Sequence, residues 1–428
     1  MVGQVTGPLR TLDSRPARLL PAAGLIGVVL GFDPPLVVAA LLMAIAAGLF
    51  CISPSVGLAA ALAATPFVFR PVDLNGRTFT HLELALVALA AGFGARLLID
   101  CVRRRSFSEL LALLAPYAPI AGAGVLAALG ILSIVTMNDT EYRDASLRAL
   151  RTVILEPLVI IPVARWSLRR GEAILVMAGL AVMIVVTSCW GLLQLVTGTG
   201  ISADGVRRAT GPYLHPNNLS FFLERATLMV VVPAMLIPRF RKIGIGLAII
   251  GATGVLMTLS RGALIGLPVA IAVVLWLVRR LRAIAGVIVG AVAVGGALAL
   301  FAGNRLFDSG SQGSEPSRFV LWRASAKMIR DFPISGIGLD QFYVMYGLRY
   351  IEPVGWPERY TSHPHNIVLD AWLSLGIGGV ILLIAAVAWG ALSIVRLRRK
   401  NQNGVPFALA VGGAAALVTG AVHGLVDN

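Results

Sequence analysis

Charged side chains are scarce in this sequence: Asp, Glu, Lys and Arg make up 13% of its 428 residues, about half the share of an ordinary soluble domain. Apolar residues make up 57%, and the mean hydropathy is +0.84. One globular core cannot hide that much apolar surface, so most of it must face lipid and a water-soluble enzyme is excluded. Lysine is scarcer still, at Lys242, Lys327 and Lys400 alone, so the 36 basic residues are almost all arginine against 21 acidic ones. In a soluble protein a net charge of +15 would point to nucleic acid. Here membrane topology accounts for it, and no nucleic-acid partner is expected. Cys51, Cys101 and Cys189 lie in or beside separate apolar stretches, which removes a disulfide framework and a Cys-x-x-Cys metal site. No Walker loop, His-Glu-x-x-His, Gly-x-Ser-x-Gly or dinucleotide fingerprint occurs, which excludes nucleotide-driven transport and the common hydrolase chemistries. There is no internal repeat. No small-residue cleavage site follows Arg10, Arg15 and Arg18, so the first apolar run is read as an uncleaved span.

What the sequence has in abundance is long apolar runs. They lie near 19–32, 36–52, 55–69, 81–99, 112–137, 149–166, 173–198, 219–237, 242–260, 262–278, 283–301, 366–395 and 405–426. Backbone groups in lipid must bond internally, so the fold class is all-α: a polytopic membrane helix bundle of about 12–13 spans. Basic clusters at 103–105, 165–170, 239–242, 279–282 and 396–400 fall on alternate turns, which places them in the cytoplasm with the N-terminus. The same alternation puts the longest polar segment, 302–364, outside, and a loop of that length in a compact membrane protein is usually functional. Within it a helix is expected from a cap at Ser317 to Asp331, stopped by Pro333. Phe319, Trp322, Ala326 and Ile329 would form one face, with Arg323, Lys327 and Arg330 on another, as in a helix lying on the membrane surface or covering the bundle. Residues 1–301 are read as the bundle, 302–364 as a loop roofing the site, and 365–428 as C-terminal spans.

Three outer segments concentrate polar groups. Arg207 and Arg208 lead into Gly211-Pro-Tyr-Leu-His215-Pro-Asn217-Asn218, offering donors to an anion and a cap for the next helix. Thr258-Leu-Ser260-Arg261-Gly262 puts an arginine in a tight turn between apolar runs, where it needs phosphate, a carboxylate or water. Ser362-His363-Pro364-His365-Asn366 marks re-entry to the membrane and precedes Asp370 and Gly376-Ile-Gly378. Two histidines without a carboxylate cluster make a poor metal set. A structural histidine and a general base are the remaining readings, and histidine beside arginines suits a reaction with an anionic leaving group.

Together these segments resemble the O-antigen ligase and polymerase superfamily of bacterial membrane glycosyltransferases. The resemblance runs over roughly 150–395. Its pieces are Arg151 with Glu156-Pro157, the Gly211–Asn217 turn, Leu259-Ser260-Arg261-Gly262, Arg318-Phe-Val-Leu-Trp322, Pro333-Ile-Ser-Gly336-Ile-Gly338-Leu-Asp-Gln-Phe342, and His363-Pro-His365-Asn366. It implies transfer of a glycan from an undecaprenyl-diphosphate carrier to an acceptor hydroxyl, lipid A core or similar. The reaction would occur at the periplasmic face of the inner membrane, without a nucleotide sugar; because arginines can supply the positive charge and the outer loops offer a poor ligand set, no metal or other cofactor is expected. Membrane lipids are the surrounding partners. His365 is then the base, with His363 as fallback. Arg261, Arg207, Arg208 and Arg318 are the candidates for the diphosphate, since arginine forks can neutralise it. Asn217 and Asn366 are further substrate-binding candidates. The resemblance also implies membrane segments beyond the last run here, so truncation and a span count off by one are the alternatives. A polymerase of the same superfamily and a protein-directed transferase fit the same motifs. A lipid-glycan transporter is the competing class, and it calls for ionisable groups through mid-bundle rather than at one face.

Overall fold

A computed structural model describes residues 14–104, 117–136, 142–203, 206–279, 314–399 and 404–425. The expected span at 283–301 and the start of the long loop, 302–313, lie outside them. The protein is an all-α polytopic membrane protein. Its main helices are α1 (Leu20–Leu30), α2 (Leu36–Ile52), α3 (Pro54–Ala64), α4 (His81–Arg104), α5 (Tyr117–Val135), α6 (Ile160–Arg170) and α7 (Ala173–Thr197). They continue with α8 (Pro216–Leu236), α9 (Arg241–Leu256), α10 (Arg261–Leu277), α11 (Ser314–Asp331), α12 (Ile367–Arg399) and α13 (Val405–Gly424). Of these, α4, α7, α8, α12 and α13 are long and apolar enough to cross a membrane.

Two features depart from the apolar runs. The run at 149–166 is not one α-helix: Arg143–Ala149 passes through a π turn, Leu150–Leu155, and a tight turn, Glu156–Val159, before α6 begins. Pro157 lacks the N–H that would continue the ladder, and Arg151 at this break bridges Glu83 at 2.5 Å and Glu156 at 3.3 Å. Two small antiparallel hairpins also interrupt the helices: β1 (Pro71–Leu74) with β2 (Arg77–Thr80), and β3 (Ile201–Ala203) with β4 (Val206–Arg208). The first runs into a reciprocal cap in which the Glu83 N–H donates to Thr80 Oγ1 and the Thr80 N–H to Glu83 Oε2, opening α4.

An N-terminal group of helices, α1 to α4 with α6, shares one apolar core. A second core joins α7, α8, α9 and α10, and a third joins α8, α10 and α13. Enclosure separates centre from rim: 61% of the most apolar window of α8 is buried, against 11% for α12. Small residues let α10 approach α13 closely, with Gly262 against the His423 ring and Gly266 against Thr419, as helices packed in lipid commonly do.

The antiparallel order brings the ends of α7, α9 and α13 together with the starts of α8, α10 and α12. Over that end lies α11, which begins at Ser314 rather than Ser317. Its inward stripe is Leu321, Ala324, Ser325 and Met328, packed with Phe342, Tyr346 and Leu373. The expected stripe is offset, and Phe319 is left 63% exposed.

Candidate functional site

The site assembles from four backbone junctions at this end of the bundle. At the first, the β3–β4 hairpin is strapped to the turn between α9 and α10. The Ala209 N–H donates to the Met257 carbonyl at 3.0 Å, and Arg208 Nε donates to the Thr258 carbonyl at 2.7 Å. Arg208 also donates through Nη2 to Asn217 Oδ1 at 2.8 Å, so the arginine ties three elements together. Successive strand residues face opposite ways. Arg207 accordingly is exposed and lies beside Gly198 at the open end of the hairpin, away from this junction.

The turn that follows is held by Gln194 of α7. Its Oε1 accepts from the N–H groups of Thr210 and Gly211 at 3.0 and 2.8 Å, and its Nε2 donates to the Gly211 carbonyl at 3.1 Å. The cap of α8 is His215, whose Nδ1 accepts from the Asn217 N–H at 3.2 Å. Burial pushes the nearby Tyr213 phenol upward, the Arg225 guanidinium opposing the shift, and keeps it neutral.

At the second junction, Ser260 and Thr258 are buried, and Arg261 is the first residue of α10. Ser260 Oγ lies 3.4 Å from Nε2 of His423, and Nδ1 of the same ring lies 2.9 Å from Glu224 Oε1. His423 is 1% exposed and Glu224 0%, so a Ser–His–Glu chain fixes the Arg261 turn from inside the bundle. The ring of Phe221 meets His423 edge-on at 5.0 Å.

The third and fourth junctions hold the histidine segment. Asn366 caps α12, its Oδ1 accepting from the N–H groups of Val368 and Leu369 at 3.0 and 3.2 Å, while its Nδ2 donates to the Leu425 carbonyl at 2.9 Å. From the other side, Trp322 Nε1 of α11 donates to the Pro364 carbonyl at 3.0 Å. One turn earlier on the same face of that helix lies half-buried Arg318. His365 adopts φ +53°, a left-handed conformation that histidine tolerates better than most residues. Its ring centroid lies 4.4 Å from that of His363, whose Nδ1 is 2.9 Å from Ser362 Oγ.

Residues 246–384 match the O-Antigen ligase family. This stretch is similar to the O-antigen ligase domain. It supports membership of the O-antigen ligase superfamily, a group of glycosyltransferase-like ligases and polymerases that use lipid-linked glycans. No curated protein matches the chain. The matched stretch is narrower than the 150–395 of the motif resemblance. It contains Arg261, Arg318, His363, His365 and Asn366, while Arg207, Arg208 and Asn217 lie before it and His423 after it.

Among the sequence-derived candidates, the fold joins Arg208 and Asn217 to the turn before Arg261, and joins Asn366 to the end of α13 two residues beyond His423. Sequence reasoning missed Gln194, Glu224 as a partner, and His423. A histidine inside an apolar run and a glutamate in another were the available signal, since ionisable residues in spans pair with one another.

Proposed function

We propose that the protein is an O-antigen ligase-like glycosyltransferase acting at the periplasmic face of a bacterial inner membrane. In this reading it moves a glycan from an undecaprenyl-diphosphate carrier to an acceptor hydroxyl of lipid A core or a similar acceptor. The observation that carries the reading is the O-antigen ligase match over 246–384, a stretch whose Arg261 turn, Arg318 helix and His363–Asn366 segment meet at one end of the bundle. His365 takes the proton of the acceptor hydroxyl. The oxygen attacks the anomeric carbon, the bond from that carbon to the diphosphate oxygen breaks, and the carrier leaves as the diphosphate anion. Arg261, with Arg208 and Arg318, neutralises that anion, supplying the positive charge that a divalent cation would otherwise bring. Arg207, turned out of the junction, contributes to the field rather than to contact. His363 braces the His365 ring. The same reading takes residues to 301 as the bundle, 302–364 as a roof over the site and those from 365 as closing helices.

The test is transfer by purified protein in the presence of carrier-linked glycan and acceptor. His365→Asn suits it, because asparagine also accepts positive φ. It should lower turnover by about 10²- to 10⁴-fold while donor binding and thermal stability stay near wild type. Arg261→Lys keeps the charge and loses the fork, so it should transfer about tenfold slower or worse. Near-normal turnover in both variants would contradict the assignment.

A further inference from the structure

One row on α8 is left open while most of that helix is enclosed. Asn217, Phe221, Arg225 and Met229, spaced four residues apart, are half-buried or exposed, whereas Leu219, Ser220, Leu223, Glu224 and Ala226 are buried. The row begins at the polar junction, where Asn217 meets Arg208. Arg225 lies about 12 Å further along the helix axis, inside a segment apolar enough to span a membrane. Its guanidinium sits over the Phe221 ring at 3.7 Å, and its Nε donates to the Phe221 carbonyl at 2.7 Å. Among the described residues it makes no ion pair, because neighbouring Glu224 turns inward to His423. The Tyr213 hydroxyl, buried and without a hydrogen-bond partner among the described residues, lies within electrostatic range of this guanidinium. An intramembrane arginine left in this state calls for an anion.

The opposite wall is α13. Gly420 leaves room for the Arg225 stem, and a Cβ at Gly413 would meet nothing within 4 Å. One step further along, Met229 and Ala410 line a cavity of about 370 Å³ whose walls are otherwise almost wholly apolar, among them Met177 and Leu409. The groove is therefore cationic near the site and apolar away from it.

We propose that this groove between α8 and α13 admits the lipid donor from the bilayer, the Arg225 guanidinium holding its diphosphate before it passes to Arg208 and Arg261, and the apolar cavity past Met229 taking its polyprenyl chain. The assignment rests on the transferase reading. A phosphate-headed lipid with a long flexible hydrocarbon chain matches both halves of the groove, as neither a free anion nor a neutral lipid does. It also gives the donor a sideways route from the bilayer to Arg208 and Arg261.

The experiment is equilibrium binding of tritiated undecaprenyl diphosphate to the full chain in detergent, with tritiated phosphatidylglycerol as the comparison probe. Arg225→Gln should weaken the diphosphate lipid by roughly ten- to a hundredfold. Gly413→Trp, placed where a Cβ meets no neighbour within 4 Å, should weaken it to a similar extent and keeps the test available if Arg225→Gln does not fold. Unchanged binding of undecaprenyl diphosphate in both folded variants overturns the proposal. So does a loss confined to phosphatidylglycerol, which would make the groove a site for bulk lipid. The two readings fail separately. Wild-type protein that binds but never transfers glycan removes the transferase reading and leaves the groove. Transfer and binding both unaffected by the two substitutions removes the groove alone.

Discussion

His423 and Glu224 bring two ionisable side chains into a region with almost no water, and each is the other's principal partner. Removing one leaves the second buried and uncompensated, which costs about 3–5 kcal/mol in comparable interiors. His423→Ala should therefore lower unfolding free energy in detergent by about 3 kcal/mol or more. Glu224→Gln, which keeps a side-chain oxygen at the Nδ1 position, should lower it by only about 1 kcal/mol. Chemical denaturation of both variants checks this, and equal small losses would show that the pair does not anchor the Arg261 turn. Gly262 belongs to the same anchor, because any Cβ there would enter the imidazole ring. Legibility in the sequence divides at this scale. Arg261, His365 and Asn366 stood out because they break apolar surroundings at the ends of spans. The Glu224–His423 pair did not, because two residues 199 positions apart become partners only when α8 and α13 pack.

Between elements, the two glycine-rich motifs that the sequence offered separately are halves of one seam. Gly376 lies at φ 67° and ψ −164° inside α12, a region essentially reserved for glycine. The break frees backbone groups that the segment after α11 takes up. The Ile377 N–H donates to the Ile334 carbonyl at 3.1 Å, and the N–H groups of Ile337 and Gly338 donate to the Leu373 carbonyl at 2.7 and 3.2 Å. Trp372 Nε1 adds a bond to the Pro333 carbonyl at 2.8 Å. A Cβ at 376 would collide with the Ile334 carbonyl. Gly376→Ala should thus destabilise the protein by about 3 kcal/mol and release this seam. Hydrogen exchange reads it directly: the amides of Ile337 and Gly338 should lose protection while those of α8 keep theirs, and unchanged protection at 337–338 would refute the seam. The helices themselves were legible from apolar run length, since lipid leaves the backbone few alternatives. The hairpins were not, because strands of three or four residues show no usable alternation. Nor was the π turn at Leu150–Leu155, where Arg151 meets a partner, Glu83, that lies far away in the sequence.

The whole molecule is polarised along its long axis. Arg165, Arg169 and Arg170, then Arg239, Arg241 and Lys242, then Arg279, and then Arg396, Arg398 and Arg399 gather at one end of the helices. The hairpin junction, the Arg261 turn, the histidine segment and α11 gather at the other. That division suits a reaction confined to one membrane face, whereas a transporter must expose its site to both faces in turn. Proteoliposomes holding labelled carrier-linked glycan with lipid A core test the chemistry. Labelled acceptor and free undecaprenyl diphosphate should form in equal amounts, and both should be lost in His365→Asn. Intact donor crossing to the other leaflet, with no labelled acceptor formed and no difference between wild type and His365→Asn, would contradict it.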